Sequence, residues 1–316
     1  MVRFGILGAG NIAHRFAKSL EHVEGAKLVA LSARKAQKAQ AFAHEFGVDG
    51  SKAYTSHEQL LDDAGVDAIY LALPHALHRE WAIAALRAGK AVLCEKPACL
   101  TAAEMEEVAS VAHSTNTLFM EAMKPRFVPL RASIEEALGQ IGEIRHVEAT
   151  LCNDMMSFVD GAQTYHMGGG PGAGVLLDCG IYCASWIDEL CPGTFETTSV
   201  VSEKHKDVDV YVDAQLSFGD ITARLECAFD RAKPRTCTIE GERGRIVVED
   251  LHRPTRATLL LTGEPMQVME SPYEVDDFYA QIVHFVKLVA DKKTESPVMN
   301  LNDSIRCAQI LDACRS

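Results

Sequence analysis

No stretch of this 316-residue sequence is long and apolar enough to cross a bilayer. Apolar runs such as residues 68–74 and 259–262 have the length of strands. Clustered positive charge is missing too. There are 31 Lys and Arg against 44 Asp and Glu, a formal net charge of −13, which argues against a surface built to neutralise nucleic-acid phosphates. The ten cysteines contain no Cys-x-x-Cys pair. His75 and His78 stand three apart without a third and fourth ligand at metal-site spacing, so no metal is expected. Cys94, Cys152 and Cys227 sit in apolar surroundings and read as small core residues of a reduced, cytoplasmic protein. Cys179 and Cys183 could meet on a helix. The first strand starts at Val2, which leaves no room for a signal peptide. With 47% hydrophobic and 24% charged residues the composition is that of an ordinary globular protein, and the length suits two domains. The expected partner is a small-molecule substrate, with neither nucleic acid nor membrane involved.

The most informative feature present is at the start. An apolar run, residues 2–7, breaks into Gly8-Ala9-Gly10-Asn11-Ile12-Ala13 and then into an amphipathic stretch with Ile12, Phe16, Ala17 and Leu20 on one face. Gly8 permits a tight turn, Gly10 lets backbone approach a phosphate, and Ala13 lets helix and strand pack closely. A pyrophosphate would then meet the free N–H groups of the helix start, around Asn11 and Ile12. Such a glycine turn can also be purely structural, but its place between strand and helix favours dinucleotide binding.

Alternation continues through the first 120 residues. Strands are expected at 26–31, 66–73, 91–94 and 117–120, and helices at 35–46, 77–88 and 101–113, the last with Thr101 and Glu104 as a capping box. This predicts a parallel sheet covered on both faces, with ligands beyond the carboxyl ends of its strands. Ser32 to Arg34, Leu73 to His78, Glu95 to Pro97 and Glu121 are therefore functional candidates. An Asp or Glu at the end of the second strand would serve the 2′-hydroxyl of NAD. This chain instead has Ser32, Arg34, Lys35 and Lys38, and Arg34 offers a planar fork to a 2′-phosphate. NADP is expected, with NAD possible. The competing reading is a solvated helix start.

Beyond Pro125 the texture changes. A helix over 130–138 leads to strands at 144–151, 208–218, 221–229, 236–240, 245–248 and 257–261, joined by short turns, and helices over 274–290 and 302–313 close the chain. Short turns between strands make an antiparallel sheet. The fold class is thus α/β: an N-terminal doubly wound parallel sheet of Rossmann type over 1–122, then an α+β domain with a large, mostly antiparallel sheet over 123–316. A broad sheet face is expected to be buried against a second copy, giving a homodimer or homotetramer.

The run Ala88-Gly89-Lys90-Ala91-Val92-Leu93-Cys94-Glu95-Lys96-Pro97 resembles the signature of the glucose-fructose oxidoreductase, inositol dehydrogenase and rhizopine-catabolism (Gfo/Idh/MocA) family. The likeness extends to Gly8–Ala13, Pro74, His78, Glu121-Ala122, Gly142-Glu143-Ile144 and the run from Gly174 to Tyr182. It implies an NAD(P)-dependent oxidoreductase with Lys96 as the catalytic lysine and Asp178 and Tyr182 completing the site. Leu73, Pro74, His78, Glu95, Lys96 and Arg126 are implied as cofactor neighbours. Tyr182 replaces the histidine usual in inositol-type members, which makes the chain more similar to the dihydrodiol dehydrogenase branch. A phenol near an ammonium exchanges its proton more easily near neutral pH. Tyr182 would give a proton to the carbonyl oxygen that Lys96 polarises, while hydride passes to or from the nicotinamide. Asp178 would position substrate or Lys96, and as a residue after a glycine run it also suits a helix N-cap. His166 and Gly168 to Gly174 form a loop that either shapes the substrate pocket or simply connects. The implied reaction interconverts a sugar, polyol or vicinal diol with its carbonyl. An NAD-linked inositol or sugar dehydrogenase and a non-catalytic dinucleotide sensor are the alternatives. Retention of Lys96, Asp178 and Tyr182 together argues for an enzyme.

Overall fold

The computed structural model describes residues 1–156 and 170–315. They form two compact units. The first comprises 1–99, 103–123 and 274–304, and the second comprises the described residues within 100–102, 124–273 and 305–316.

In the first unit the strands β1 (Val2–Leu7), β2 (Ala26–Ser32), β3 (Ala53–Tyr54), β4 (Ala68–Leu71), β5 (Ala91–Cys94) and β6 (Phe119–Glu121) form one sheet in the order β3-β2-β1-β4-β5-β6. Every pairing is parallel. This is the order of a doubly wound dinucleotide sheet, whose switch point lies between β1 and β4. Helices α1 (Asn11–Leu20), α2 (Ala36–Glu45), α3 (His57–Leu61), α4 (His78–Arg87) and α5 (Ala102–Thr115) make the crossovers. All residues of β4 and β5 are buried, as expected for strands covered on both faces. The apolar stripe of α1 explains its seat: Phe16 stacks on Tyr70 at 3.7 Å and meets Phe4 edge-on at 5.5 Å.

Residues 274–304, expected in the second domain, belong to the first unit. The contacts give the reason. Arg15 pairs with Asp277 and lies 4.6 Å over the Phe278 ring, Ser19 Oγ donates to Asp276 at 2.9 Å, and Phe285 meets Phe4 at 5.9 Å. Asp276 also accepts the N–H groups of Phe278 and Tyr279, which start the helix Tyr279–Ala290.

In the second unit β7 (Ile144–Cys152), β8 (Glu196–His205), β9 (Val208–Phe218), β10 (Ile221–Ala228), β11 (Thr236–Gly241), β12 (Gly244–Glu249), β13 (Arg256–Leu261) and β14 (Gln267–Glu270) form a second sheet. Its order is β14-β13-β12-β11-β7-β10-β9-β8. Among the described residues only β7 and β10 pair in parallel. Helix α6 (Leu130–Ile141) lies against β12 and β13, and α7 (Ile181–Leu190) lies against β7 and β10. Along β10, Ala223, Leu225 and Cys227 are fully buried. The alternating residues belong to the other face, and that face is polar. Arg224 grips Asp213 through both oxygens at 2.9 and 2.8 Å and reaches Glu148 at 2.7 Å, and His146 sits 2.8 Å from Thr222 Oγ1. The broad face expected to meet a second copy is thus a hydrogen-bonded, charged one.

Candidate functional site

At the carboxyl ends of β1, β2 and β4 the first unit encloses a cavity of about 530 Å³. Gly8, Ala9 and Gly10 form its floor, and Leu73, Pro74 and Leu77 form an apolar wall. Gly8 has φ +106°, and a Cβ there would stand 2.5 Å from the Ala72 carbonyl oxygen. Only glycine fits that conformation and that approach. Gly10 is different: its φ is −93° and a Cβ would meet nothing within 4 Å. The protein itself does not demand glycine at position 10, and the open space beside it suits a phosphate. Helix α1 starts there with no side-chain cap, so its first N–H groups, at Asn11 and Ile12, remain donors for an anion.

The β2 end supplies charge. Arg34, Lys35 and Lys38 line the cavity, all three are exposed, and none of the described lining residues is a carboxylate. Ser32 lies beneath, fully buried, with its Oγ 2.7 Å from His57 Nδ1. His57 lines the cavity too, and the sequence offered no sign of it because it follows β3, a two-residue edge strand with no apolar pattern.

The Glu95-Lys96-Pro97 turn at the end of β5 is braced from four sides. Glu95 N–H donates to Leu71 O at 3.0 Å, and the Tyr70 hydroxyl donates to the Glu95 carboxylate. Ala98 N–H donates to Glu121 Oε1 at 2.8 Å. His78 completes the frame. It is fully buried, with Nδ1 2.8 Å from Pro97 O and Nε2 2.7 Å from Leu73 O. Burial pushes its pKa below the ordinary value, opposed by the two carbonyls, which favour the protonated ring. His78 and Glu95 thus stand under the loops that line the β-strand ends, and Lys96 is the partly exposed residue of the turn.

In the second unit Asp178 falls inside a π-helical turn, Leu176–Gly180, that runs on into α7. It is not the N-cap. The N-cap is Val175, whose side chain gives no cap, and Asp209 of β9 accepts Leu176 N–H through Oδ2 at 2.7 Å instead. Gly174, at φ +113°, is pressed against the same carboxylate, and a Cβ there would come within 2.0 Å of Asp209 Oδ1. Tyr182 follows one turn after Asp178, 8% exposed, with its ring 5.8 Å from that of His252. The bond from Trp186 Nε1 to Leu251 O, 2.9 Å, anchors α7 to the segment that carries His252.

Arg126, expected beside the cofactor, is buried within the second unit. Its guanidinium donates to Asp188 Oδ2 at 2.7 Å and to Ser185 Oγ at 2.9 Å, and Arg306 holds the other Asp188 oxygen at 2.7 Å. Two arginines thus clasp one buried carboxylate. The ten cysteines are all free and buried. Among the described residues no three His, Cys, Asp or Glu cluster as metal ligands, and no helix is long and apolar enough to cross a membrane. His166, Gly168 and Gly169 lie outside the described residues.

Comparison with known proteins agrees with this geometry. Residues 2–123 match an oxidoreductase family with an NAD-binding Rossmann fold, and residues 130–247 match the GFO/IDH/MocA C-terminal domain. The chain is 32% identical to trans-1,2-dihydrobenzene-1,2-diol dehydrogenase of Mus musculus, over 99% of this chain and 96% of that protein. It is 28% identical to scyllo-inositol 2-dehydrogenase (NADP(+)) of Bacillus subtilis (strain 168), over 100% and 96% of the two chains. A 3-ketoreductase of Actinomadura kijaniata, solved with TDP-benzene and NADP, superposes with a TM-score of 0.85 at 27% identity, covering 100% of this chain and 97% of that one. With a dinucleotide cradle in one unit, a braced lysine turn beside it and both halves of the chain matched, the protein belongs to the Gfo/Idh/MocA family of NAD-binding oxidoreductases.

Proposed function

We propose that this protein is an NADP-dependent oxidoreductase that interconverts a hydroxyl group and its carbonyl on a sugar, polyol or other vicinal diol. One observation carries the cofactor choice: three exposed cations, Arg34, Lys35 and Lys38, and among the described residues no carboxylate, line the cavity at the end of β2. A 2′-phosphate needs that arrangement, and a 2′-hydroxyl does not. The diol, inositol and keto substrates in the names of the three relatives support the substrate class.

When bound, the nicotinamide gives or accepts the hydride. Gly8, Gly10, Asn11 and Ile12 hold the pyrophosphate, and Leu73 and Pro74 flank the cofactor. Lys96 places an ammonium at the substrate oxygen and stabilises the negative charge that develops there. Tyr182 gives its phenolic proton to that oxygen in reduction and withdraws it in oxidation. Asp178, one turn before Tyr182, positions the substrate. Glu95 and His78 hold the turn that carries Lys96. Arg126 takes a structural part through Asp188.

The reading also includes a homodimer or homotetramer assembled through the open face of the second sheet, in the cytoplasm. The breadth of that face supports assembly, and its paired charges make the association salt-sensitive rather than hydrophobic. The deciding experiment is a substrate panel of aldoses, anhydro-sugars, inositols and dihydrodiols, run with NADP(H) and NAD(H) and followed by nicotinamide absorbance. Turnover with NADP(H) on at least one class is expected. Tight NADP binding without turnover on any of them would replace the enzyme by a nucleotide sensor.

A further inference from the structure

His57 is a polar residue of the cavity wall that no expectation covers. Its ring is fixed on two sides, by Ser32 Oγ at Nδ1 (2.7 Å) and by an edge-on contact with Trp81 at 4.7 Å. Among the described residues its Nε2 has no hydrogen-bond partner, and the ring lines the cavity together with Arg34, Lys35 and Lys38. If the only task here were to join β2 to α3, an apolar side chain packed on Trp81 would do it. An imidazole clamped at one nitrogen, with the other left over in a cation-lined cavity, is instead built to donate to an anion. The hydrogen bond at one ring nitrogen decides which atom carries the proton. When the Ser32 hydroxyl donates to Nδ1, the proton resides on Nε2.

We infer that His57 is a ligand of the NADP 2′-phosphate, with Ser32 orienting its ring and Nε2–H donating to a phosphate oxygen beside the Arg34, Lys35 and Lys38 cations. The inference deepens the NADP reading and rests on it. Ionic surroundings give it a pH signature. Arg34, from the β2 end, lowers the imidazole pKa, as does burial, the largest cause, whereas Glu58 on its own helix and Glu80 on α4 raise it. Free His57 therefore titrates below the ordinary histidine value. A bound phosphate dianion favours the protonated ring and raises that pKa. NADP affinity thus increases as pH falls through the raised pKa of the complex, until protonation of the 2′-phosphate itself, at about pH 6, opposes the gain. NAD affinity has no such dependence.

The test is calorimetric binding of NADP and NAD, and of adenosine 2′,5′-bisphosphate against 5′-AMP, at about pH 6.5 and about pH 8.5. The proteins are the wild type, His57→Gln, His57→Phe and Arg34→Ala. Expected for both His57 variants is a roughly tenfold loss of NADP and bisphosphate affinity at the lower pH, one charge-assisted hydrogen bond. The loss shrinks at the higher pH, and NAD and 5′-AMP binding stays unchanged, which also reports an intact fold. Wild-type NADP affinity and pH slope in the His57 variants, or proportional losses of NADP and NAD, would overturn the role. Arg34→Ala separates the two readings. If it lowers NADP affinity while the His57 variants do not, the NADP reading stands and His57 drops out. If neither Arg34→Ala nor the His57 variants change the NADP to NAD ratio, both fall.

Discussion

The first unit gathers three exposed cations at the end of one strand, β2, whereas the second carries paired charge in the middle of a sheet face. In the parallel sheet every residue of β4 and β5 is buried, and Arg34, Lys35 and Lys38 gather at the end of β2. In the antiparallel sheet Arg224, Asp213 and Glu148 pair in the middle of the strands. Coverage explains the contrast. A sheet packed on both faces leaves only its ends for polar chemistry, so charge there points to a ligand. A sheet packed on one face must make the other compatible with water or a polar partner, and charge there is mostly paired with itself. The same residue types thus carry function in one unit and architecture in the other.

The sharpest way to break this contrast is to remove charge from each unit and compare activity with stability. Lys96→Met is expected to lower kcat on the order of a thousandfold while calorimetry shows nearly unchanged NADP affinity. Tyr182→Phe should cost about a hundredfold in kcat. Appreciable activity in either would remove that residue from the proposed chemistry. Asp188→Ala should act on the fold: it leaves Arg126 and Arg306 facing each other without their carboxylate, and urea denaturation should report a loss of about 3 to 5 kcal/mol. The two cavity glycines should separate stability from binding. Gly8→Ala meets a positive φ and the Ala72 carbonyl, for a cost of about 1 to 3 kcal/mol in the same assay. Gly10→Ala should unfold like the wild type and bind NADP more weakly. The smallest effect is expected at the open face, where Arg224→Met should cost about 1 kcal/mol or less. Its clearer readout is sedimentation: high salt should shift any oligomer toward monomer, and a salt-insensitive oligomer would mean that the interface lies elsewhere.

Interior elements were legible in the sequence. The strands at 91–94 and 208–218 stand where periodicity put them. The three strands that escaped, β3, β8 and β14, are all sheet edges. An edge strand pairs on one side and need not bury a regular apolar stripe, and Glu196–His205 and Gln267–Glu270 are largely exposed. Among candidate site residues, Gly8, Gly10, Arg34, Lys38, Leu73 and Pro74 line the cavity. Asp209, His57 and the clasp around Asp188 could not be read locally, because each meets partners 25 or more residues away in the chain.

Local order alone determined the glycine turn, the alternation that makes a parallel sheet and the absence of an acid after β2, because backbone conformation and side-chain periodicity depend on residues a few positions apart. Tertiary structure decided what each charge is for. It gave Asp188 to Arg126 and Arg306, the helix start at Leu176 to Asp209, and Ser32 to His57. A hydrogen bond or ion pair acts over about 3 Å of space, and only the folded chain sets which distant residues come that close.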